Sequence, residues 1–417
     1  MGGKMVMSKT ESSLAVFSGL YCLGEEVVSA LAGETGLRVV GDHDLILAAA
    51  NRSGFPESTI ARVFSSKQSV FDKFTHEKKR AHAYLRLVLA ELMDESRLLL
   101  TGYCTHLVPW GLTHLLRSCL IANTPFRVQQ AIRAGTMSQA EAEARIIADD
   151  AEKSQWTATY LQNNNPWDAE LYDILLPMGQ FDVEQAVSML CDQLNRQGMQ
   201  PSQASRQALA DFQLAARASV VLVRAGHDGE VKADDGVLTV SISMKVLMFN
   251  RLQEELHTLL HSLPGVKSVK VQIEPEARNA GMYRKYDQNV PSKVLLVDDE
   301  QEFVQTLSER LLFRNVGTAV AHDGRSALEM LVDDDPDVLV LDLKMPGMDG
   351  IEVLRRVKKI RPAVEVIILT GHGSDIDRKA CMELGAFAYL QKPVDIDLLS
   401  GKLTEAHERV KNSRANS

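Results

Sequence analysis

Val338-Leu339-Val340-Leu341-Asp342-Leu343-Lys344-Met345-Pro346-Gly347-Met348-Asp349-Gly350 decides the fold of the last third of the chain. Four apolar residues without alternation predict a strand buried on both faces, as in a parallel sheet. A carboxylate follows at once, then a Pro-Gly turn and a second glycine that opens a helix. An Asp at the carboxyl end of a buried strand stands where open α/β sheets place their chemistry. For this window alone, a capping or turn Asp is an equal alternative.

Neighbouring stretches repeat the pattern. Lys293-Val294-Leu295-Leu296-Val297 runs into Asp298-Asp299-Glu300, Val364 to Leu369 ends at Thr370-Gly371, and Ala388-Tyr389-Leu390 ends at Gln391-Lys392-Pro393. Thr318-Ala319-Val320 is a weaker strand. Helical faces lie between them, one with Phe303, Leu307, Leu311 and Leu312, another with Ile351, Leu354 and Val357. This alternation predicts a doubly wound parallel sheet with right-handed crossovers. Asp298, Asp299, Asp342, Thr370 and Lys392 are all strand-end residues, so they should meet on one rim. Crowded carboxylates need a divalent cation, and hard oxygen donors suit Mg²⁺. Thr370 offers a hydroxyl and Lys392 a compact positive charge to an anion arriving at Asp342. Such a site is built to place a phosphoryl group on a carboxylate.

From VLLVDDE through LDLKMPGMDG and LTGHG to YLQKP, residues 292–411 resemble the receiver domain of two-component response regulators, a flavodoxin-like (βα)5 fold. The resemblance implies that Asp342 is the phospho-acceptor and that Asp299, Asp342 and the Lys344 backbone carbonyl hold Mg²⁺. Asp298 would act through metal-bound water, Lys392 would pair with the phosphoryl oxygens, and Thr370 would hydrogen-bond to one of them. Tyr389 matches the family's switch aromatic. A sensor histidine kinase is the implied partner.

The 417 residues leave room for roughly two to four domains. A hydrophobic fraction of 45% and a charged fraction of 24% are ordinary for globular protein, and a net charge of −9 leaves no basic excess for nucleic-acid phosphates. Direct DNA binding is therefore not expected, nor is a DNA-binding helix-turn-helix read. Cys22, Cys104, Cys119, Cys191 and Cys381 are scattered, without zinc or disulfide spacing. With no signal peptide, no myristoylation signal and no apolar run of membrane length, a cytoplasmic location is expected.

Near the N-terminus, Leu14-Ala15-Val16-Phe17 is a short strand. A loop from Gly19 to Gly24 and a helix carrying Val27, Val28 and Leu31 follow. Strand, glycine-bounded loop and helix is the phosphate-loop topology. A working loop continues with Lys and then Ser or Thr, whereas this chain has Glu25 and Glu26. Leu98-Leu99-Leu100-Thr101-Gly102 and Leu120-Ile121-Ala122 read as further strands. Ser138 and Glu141 form a capping box, and the last helix spans Val183 to Leu194. In this order, with PFRVQQAI, MSQAEAEARI, DDAEK and AELYDILL, residues 12–200 resemble the cytidylate-kinase-like P-loop family. The family's basic residues are replaced by Glu25 or Glu26, Tyr103 and Lys153. Arg127 remains for phosphates, joined in prospect by Arg133 and Arg145. Gly19, Gly24 and Arg127 are the candidate nucleotide-binding residues, and ATP or another nucleotide is the candidate ligand.

Between these regions, residues 205–274 read as a small α/β sandwich. Expected are a helix from Ser205 to Ala216, strands at Ser219–Arg224 and Gly236–Ile242, a helix from Val246 to Ser262, and a return strand after Leu263-Pro264-Gly265-Val266. The helix, PGV and strand resemble small BON-type domains. This module is expected to serve interaction or dimerisation, with a homodimer as the assembly. His257 and His261 lie four apart, a spacing open to a metal but more commonly surface or packing. Residues 275–291 form the expected linker. The whole is expected to be an α/β multidomain response regulator whose receiver relays its state to a non-catalytic nucleotide-kinase-like domain. The rival is an active nucleoside monophosphate kinase gated by its receiver.

Overall fold

A computed structural model describes residues 12–65, 77–95, 97–135, 137–227, 229–242, 249–273, 293–312, 314, 316–334, 336–371 and 373–415. The expected linker at 275–291 and the lead-in residues of the Val246–Ser262 helix up to residue 248 lie outside them. The described chain divides into two compact units, the first ending with the middle module and the second carrying the C-terminal sheet.

In the first unit, β1 (Ser13–Ser18), β2 (Arg38–Gly41), β3 (Leu98–Thr101), β4 (Leu115–Ile121) and β5 (Ile174–Pro177) form a parallel sheet in the order β2-β3-β1-β4-β5. The central strand β1 feeds both faces: Ala15 joins a core with Leu45, Leu85 and Leu100, while Leu14 and Val16 join another with Val27, Leu31 and Leu190. Both faces being covered explains the apolar runs Leu14–Phe17 in β1 and Leu98–Leu100 in β3. The Gly24–Thr35 helix follows β1 and the loop, and a single helix, Gln139–Tyr160, follows Ser138. It opens with the expected capping box, in which the Glu141 carboxylate accepts from the Ser138 backbone N–H at 2.8 Å.

The middle of the chain differs from expectation. Ser219–Arg224 is not a strand, because it is the last part of a continuous helix, Gln203–Arg224. β-branched content suggested a strand, but packing on two sides overrides that preference. Phe212, Ala216, Val220 and Val223 enter the core beneath the N-terminal sheet, while Leu214, Ala215, Ala218 and Leu222 enter the core of a small sheet. That sheet comprises β6 (Glu230–Asp234), β7 (Val237–Ile242) and β8 (Ser268–Ile273), with β6 antiparallel and β8 parallel to β7. Strand β6 was not anticipated. Its signal is the Asp235-Gly236 pair, with positive φ at both residues, joining β6 to β7 as a two-residue hairpin.

In the second unit, β9 (Val294–Val297), β10 (Thr318–Ala321), β11 (Val338–Leu341), β12 (Glu365–Thr370) and β13 (Ala388–Gln391) form a parallel sheet in the order β10-β9-β11-β12-β13. This is the flavodoxin-like doubly wound order. Successive residues serve opposite cores: Leu295, Leu339 and Ile368 line one, Leu296, Val340 and Ile367 the other.

Candidate phosphoryl-acceptor site

Parallel register carries the candidate residues to one end of the C-terminal sheet. Asp298 directly follows β9 and Asp342 directly follows β11, and the Asp342 amide donates to the Val297 carbonyl at 2.9 Å. Thr370 ends β12, and the Lys392 amide donates to its carbonyl at 2.9 Å. The Asp342 carboxylate is oriented by the following Leu343 amide, which donates to Oδ1 at 2.7 Å. Gly350 opens the next helix so close to Asp342 that a Cβ would strike the Asp342 carbonyl oxygen. Its amide instead bonds the Leu343 carbonyl at 3.0 Å. Glycine is required here for close approach, not for a positive φ.

Asp298, Asp299 and Asp342 each turn a carboxylate oxygen to a common point, the three lying within 4.8 Å of one another. Asp298 and Asp342 are buried, and Asp299 is half-buried. Three hard anionic oxygens at that spacing fit Mg²⁺, with room for water in its remaining positions. Lys392 Nζ stands 2.7 Å from Asp298 Oδ2, 3.1 Å from Glu300 Oε1 and 3.6 Å from Asp342 Oδ2. It also lies 4.4 Å from the Phe303 ring centroid. Burial lowers the lysine's affinity for its proton, but hydrogen bonds to Asp298 and Glu300 outweigh it, so its pKa is raised. Burial also raises the pKa of Asp298, against the pull of Lys392. Thr370 is fully buried beside this group.

Tyr389 packs against the core that contains Cys381 and Ala386. Its hydroxyl is buried, has no hydrogen-bond partner among the described residues, and fills the space beside Gly373, where any Cβ would collide with it. Glu300, Phe303 and Gly373 are contacts that sequence reasoning passed over. Glu300 was visible only as the third acidic residue of Asp298-Asp299-Glu300, and nothing in its neighbours pairs it with a residue 92 positions away.

In the first unit, Gly19 and Gly24 bound the loop as read. The Gly19 amide donates to the Leu120 carbonyl at 3.1 Å, and Tyr21 and Leu23 both take positive φ. Arg127 is buried beneath the loop. Its Nε donates to the Leu20 carbonyl at 2.8 Å, and its two terminal nitrogens grip Asp150 at 2.7 and 2.8 Å. Lys153 pairs with Asp149. Asp150 as the partner of Arg127 was not anticipated. Aromatic rings fill the region beside the loop: Phe17 lies against His106, Trp167, Tyr103 and Tyr172, with centroids 4.7 to 6.2 Å apart. His257 and His261 are exposed and stack on each other with centroids 5.2 Å apart.

Comparison with known proteins matches residues 294–404 to the response regulator receiver domain and residues 14–180 to the cytidylate kinase-like family. Response regulator MprA of Mycobacterium ulcerans is 36% identical over 119 residues, 28% of this chain and 51% of that protein. Transcriptional regulatory protein GlrR of Escherichia coli is 36% identical over 119 residues, 28% of this chain and 27% of that protein. The match thus spans about half the length of the MprA relatives and about a quarter of GlrR. A solved receiver domain from Clostridium thermocellum is 37% identical, covering 29% of this chain and 97% of its own, with a TM-score of 0.28.

Proposed function

From a chain with a response regulator receiver domain at its C-terminus and a cytidylate kinase-like domain at its N-terminus, we propose a two-component response regulator phosphorylated on Asp342. A sensor histidine kinase would supply the phosphoryl group. Mg²⁺ would be held by Asp299, Asp342 and the Lys344 carbonyl, with Asp298 acting through metal-bound water. One observation carries the reading: three carboxylates within 4.8 Å beside the Lys392 ammonium and the buried Thr370. Mg²⁺ would neutralise the acidic cluster, while Lys392 and Thr370 would meet the oxygens of the incoming group. Tyr389 would act as the switch residue.

The N-terminal domain is proposed as a non-catalytic output or interaction element. Phosphoryl transfer depends on cationic clamps, and here Arg127 and Lys153 are engaged by Asp150 and Asp149. Domain limits of 12–200, 205–274 with BON-like character, a linker at 275–291 and 292–411 belong to the same proposal. So do a cytoplasmic location, a homodimeric assembly and the lack of direct DNA binding. Among the described residues, no helix is long and apolar enough to cross a membrane.

The test is intact-mass spectrometry after incubation with acetyl phosphate and Mg²⁺, wild type against Asp342→Ala. A single phosphoryl adduct on the wild type alone supports the proposal. No adduct on folded wild-type protein with any small donor removes it. Turnover of ATP with a pyrimidine monophosphate, lost in Arg127→Ala, would instead favour a gated kinase.

A further inference from the structure

Lys392 has three N–H donors and more than one claimant for them. Its shortest contact is with buried Asp298 at 2.7 Å, and its second is with Glu300 at 3.1 Å. Asp342, at 3.6 Å, is outside hydrogen-bonding distance. Glu300 differs from the other two carboxylates in lying mostly in solvent, with 66% of its side chain exposed against 5% and 6%. Phe303, one helical turn along, presents its ring to the same ammonium.

We propose that Glu300 is a positioning residue that tethers Lys392 in the resting receiver and must release it for a phosphoryl group to be held at Asp342. This rests on the reading of Asp342 as the acceptor. In the step concerned, the bond from phosphorus to the donor's acyl oxygen breaks and acetate leaves. A bond from phosphorus to an Asp342 carboxylate oxygen forms, with no net proton transferred. The new phosphoryl oxygens need a cation. Giving up Glu300 costs least, because water solvates its carboxylate as soon as it lets go, whereas buried Asp298 would be left without compensation. Glu300 therefore competes with the phosphoryl group for one N–H of Lys392.

The experiment uses the full chain and four variants: Glu300→Gln, Lys392→Ala, the double variant, and Glu302→Gln as a control for an exposed carboxylate nearby. Two quantities are measured at Mg²⁺ concentrations shown to saturate each protein. One is the rate of acetyl phosphate labelling by intact mass. The other is the affinity for beryllium fluoride, a phosphoryl analogue that is not turned over, followed by thermal shift. Glu300→Gln should raise both by about 2- to 5-fold, the scale of an exposed ion pair. The gain should vanish in the Lys392→Ala background, and Glu302→Gln should match the wild type. An unchanged or weakened Glu300→Gln protein overturns the tether, as does a gain that persists without Lys392 or is shared by Glu302→Gln. Failure of the wild type itself to label would remove the acceptor reading and the tether with it, an outcome distinct from a labelled wild type with an indifferent variant.

Discussion

Lys392 is bonded to Asp298 and stands 3.6 Å from Asp342, so its ammonium is beside the proposed acceptor without being committed to it. Removing it should separate charge from position. In Lys392→Ala, labelling by acetyl phosphate should slow at least about tenfold, as expected when one preorganised cation is lost from a transition state. Mg²⁺ should bind more tightly, because a positive charge next to the three carboxylates is gone. Labelling rates by mass spectrometry and Mg²⁺ titration by calorimetry check the two halves. A variant that labels at the wild-type rate would show that Lys392 takes no part in the transfer.

Tyr389 and Gly373 supply a second prediction. The Tyr389 hydroxyl is buried without a partner among the described residues, and leaving such a group unpaired costs about 1–3 kcal/mol. Tyr389→Phe should therefore stabilise the receiver by about 1 kcal/mol in urea unfolding. Gly373→Ala should do the reverse, since its Cβ would occupy the place of the hydroxyl and force the ring outward. Near-UV circular dichroism should report that displacement, while labelling of Asp342 stays within about twofold of wild type. An unperturbed spectrum for Gly373→Ala would mean that the glycine does not control the ring.

The C-terminal sheet was legible because β9, β11 and β12 are buried almost throughout, so each reads as an apolar run ending at a polar residue. Parallel register then brings those ends together without further information. Legibility failed where a residue serves two masters or finds a distant partner. Val220-Val221-Leu222-Val223 looked like a strand because each face of its helix enters a different apolar core, leaving no polar stripe to betray the helical period. Glu300 with Lys392 and Arg127 with Asp150 are pairs made by side chains across the fold, and local pattern carries no trace of them.

Arg127 binds both oxygens of Asp150 while its Nε holds the loop carbonyl of Leu20. In Arg127→Ala the half-buried carboxylate loses its partner, and the first unit should lose about 2–3 kcal/mol, less than for a fully buried pair because water reaches Asp150. With Mg²⁺ already saturating, added ATP or CMP should leave the wild-type melting temperature unchanged, since a further ligand that binds only the folded state would raise it. A saturable rise with nucleotide would restore the candidate role of Gly19, Gly24 and Arg127 as a nucleotide site.

His106 lies edge-on to Phe17 at 4.7 Å and contacts Trp156 and Tyr172, and burial pushes its pKa from 6.5 down to about 4. Between those values the unfolded chain holds a proton that the folded chain lacks. The stability it contributes is thus complete above pH 6.5 and is lost as pH falls toward 4, by up to about 1.4 kcal/mol per pH unit. His106→Phe should flatten that part of the urea-unfolding profile. An equally steep profile in the variant would assign the acid sensitivity to other groups.

The Gln203–Arg224 helix lends one face to each of two cores, so the small sheet and the N-terminal domain should unfold together. Ser219 sits between the contributing residues, and its hydroxyl bonds the Ala215 carbonyl at 2.8 Å. Ser219→Pro would remove the backbone bond to that carbonyl and clash with the preceding turn, at a cost of about 3 kcal/mol or more. If the helix couples the two cores, amide exchange should accelerate in β7 and also in the Glu77–Glu95 helix, whose Tyr84 hydroxyl accepts from Arg224 at 2.6 Å. Acceleration confined to β6–β8 would mean that the middle module is an independent appendage, and that a signal reaching it need not reach the kinase-like domain.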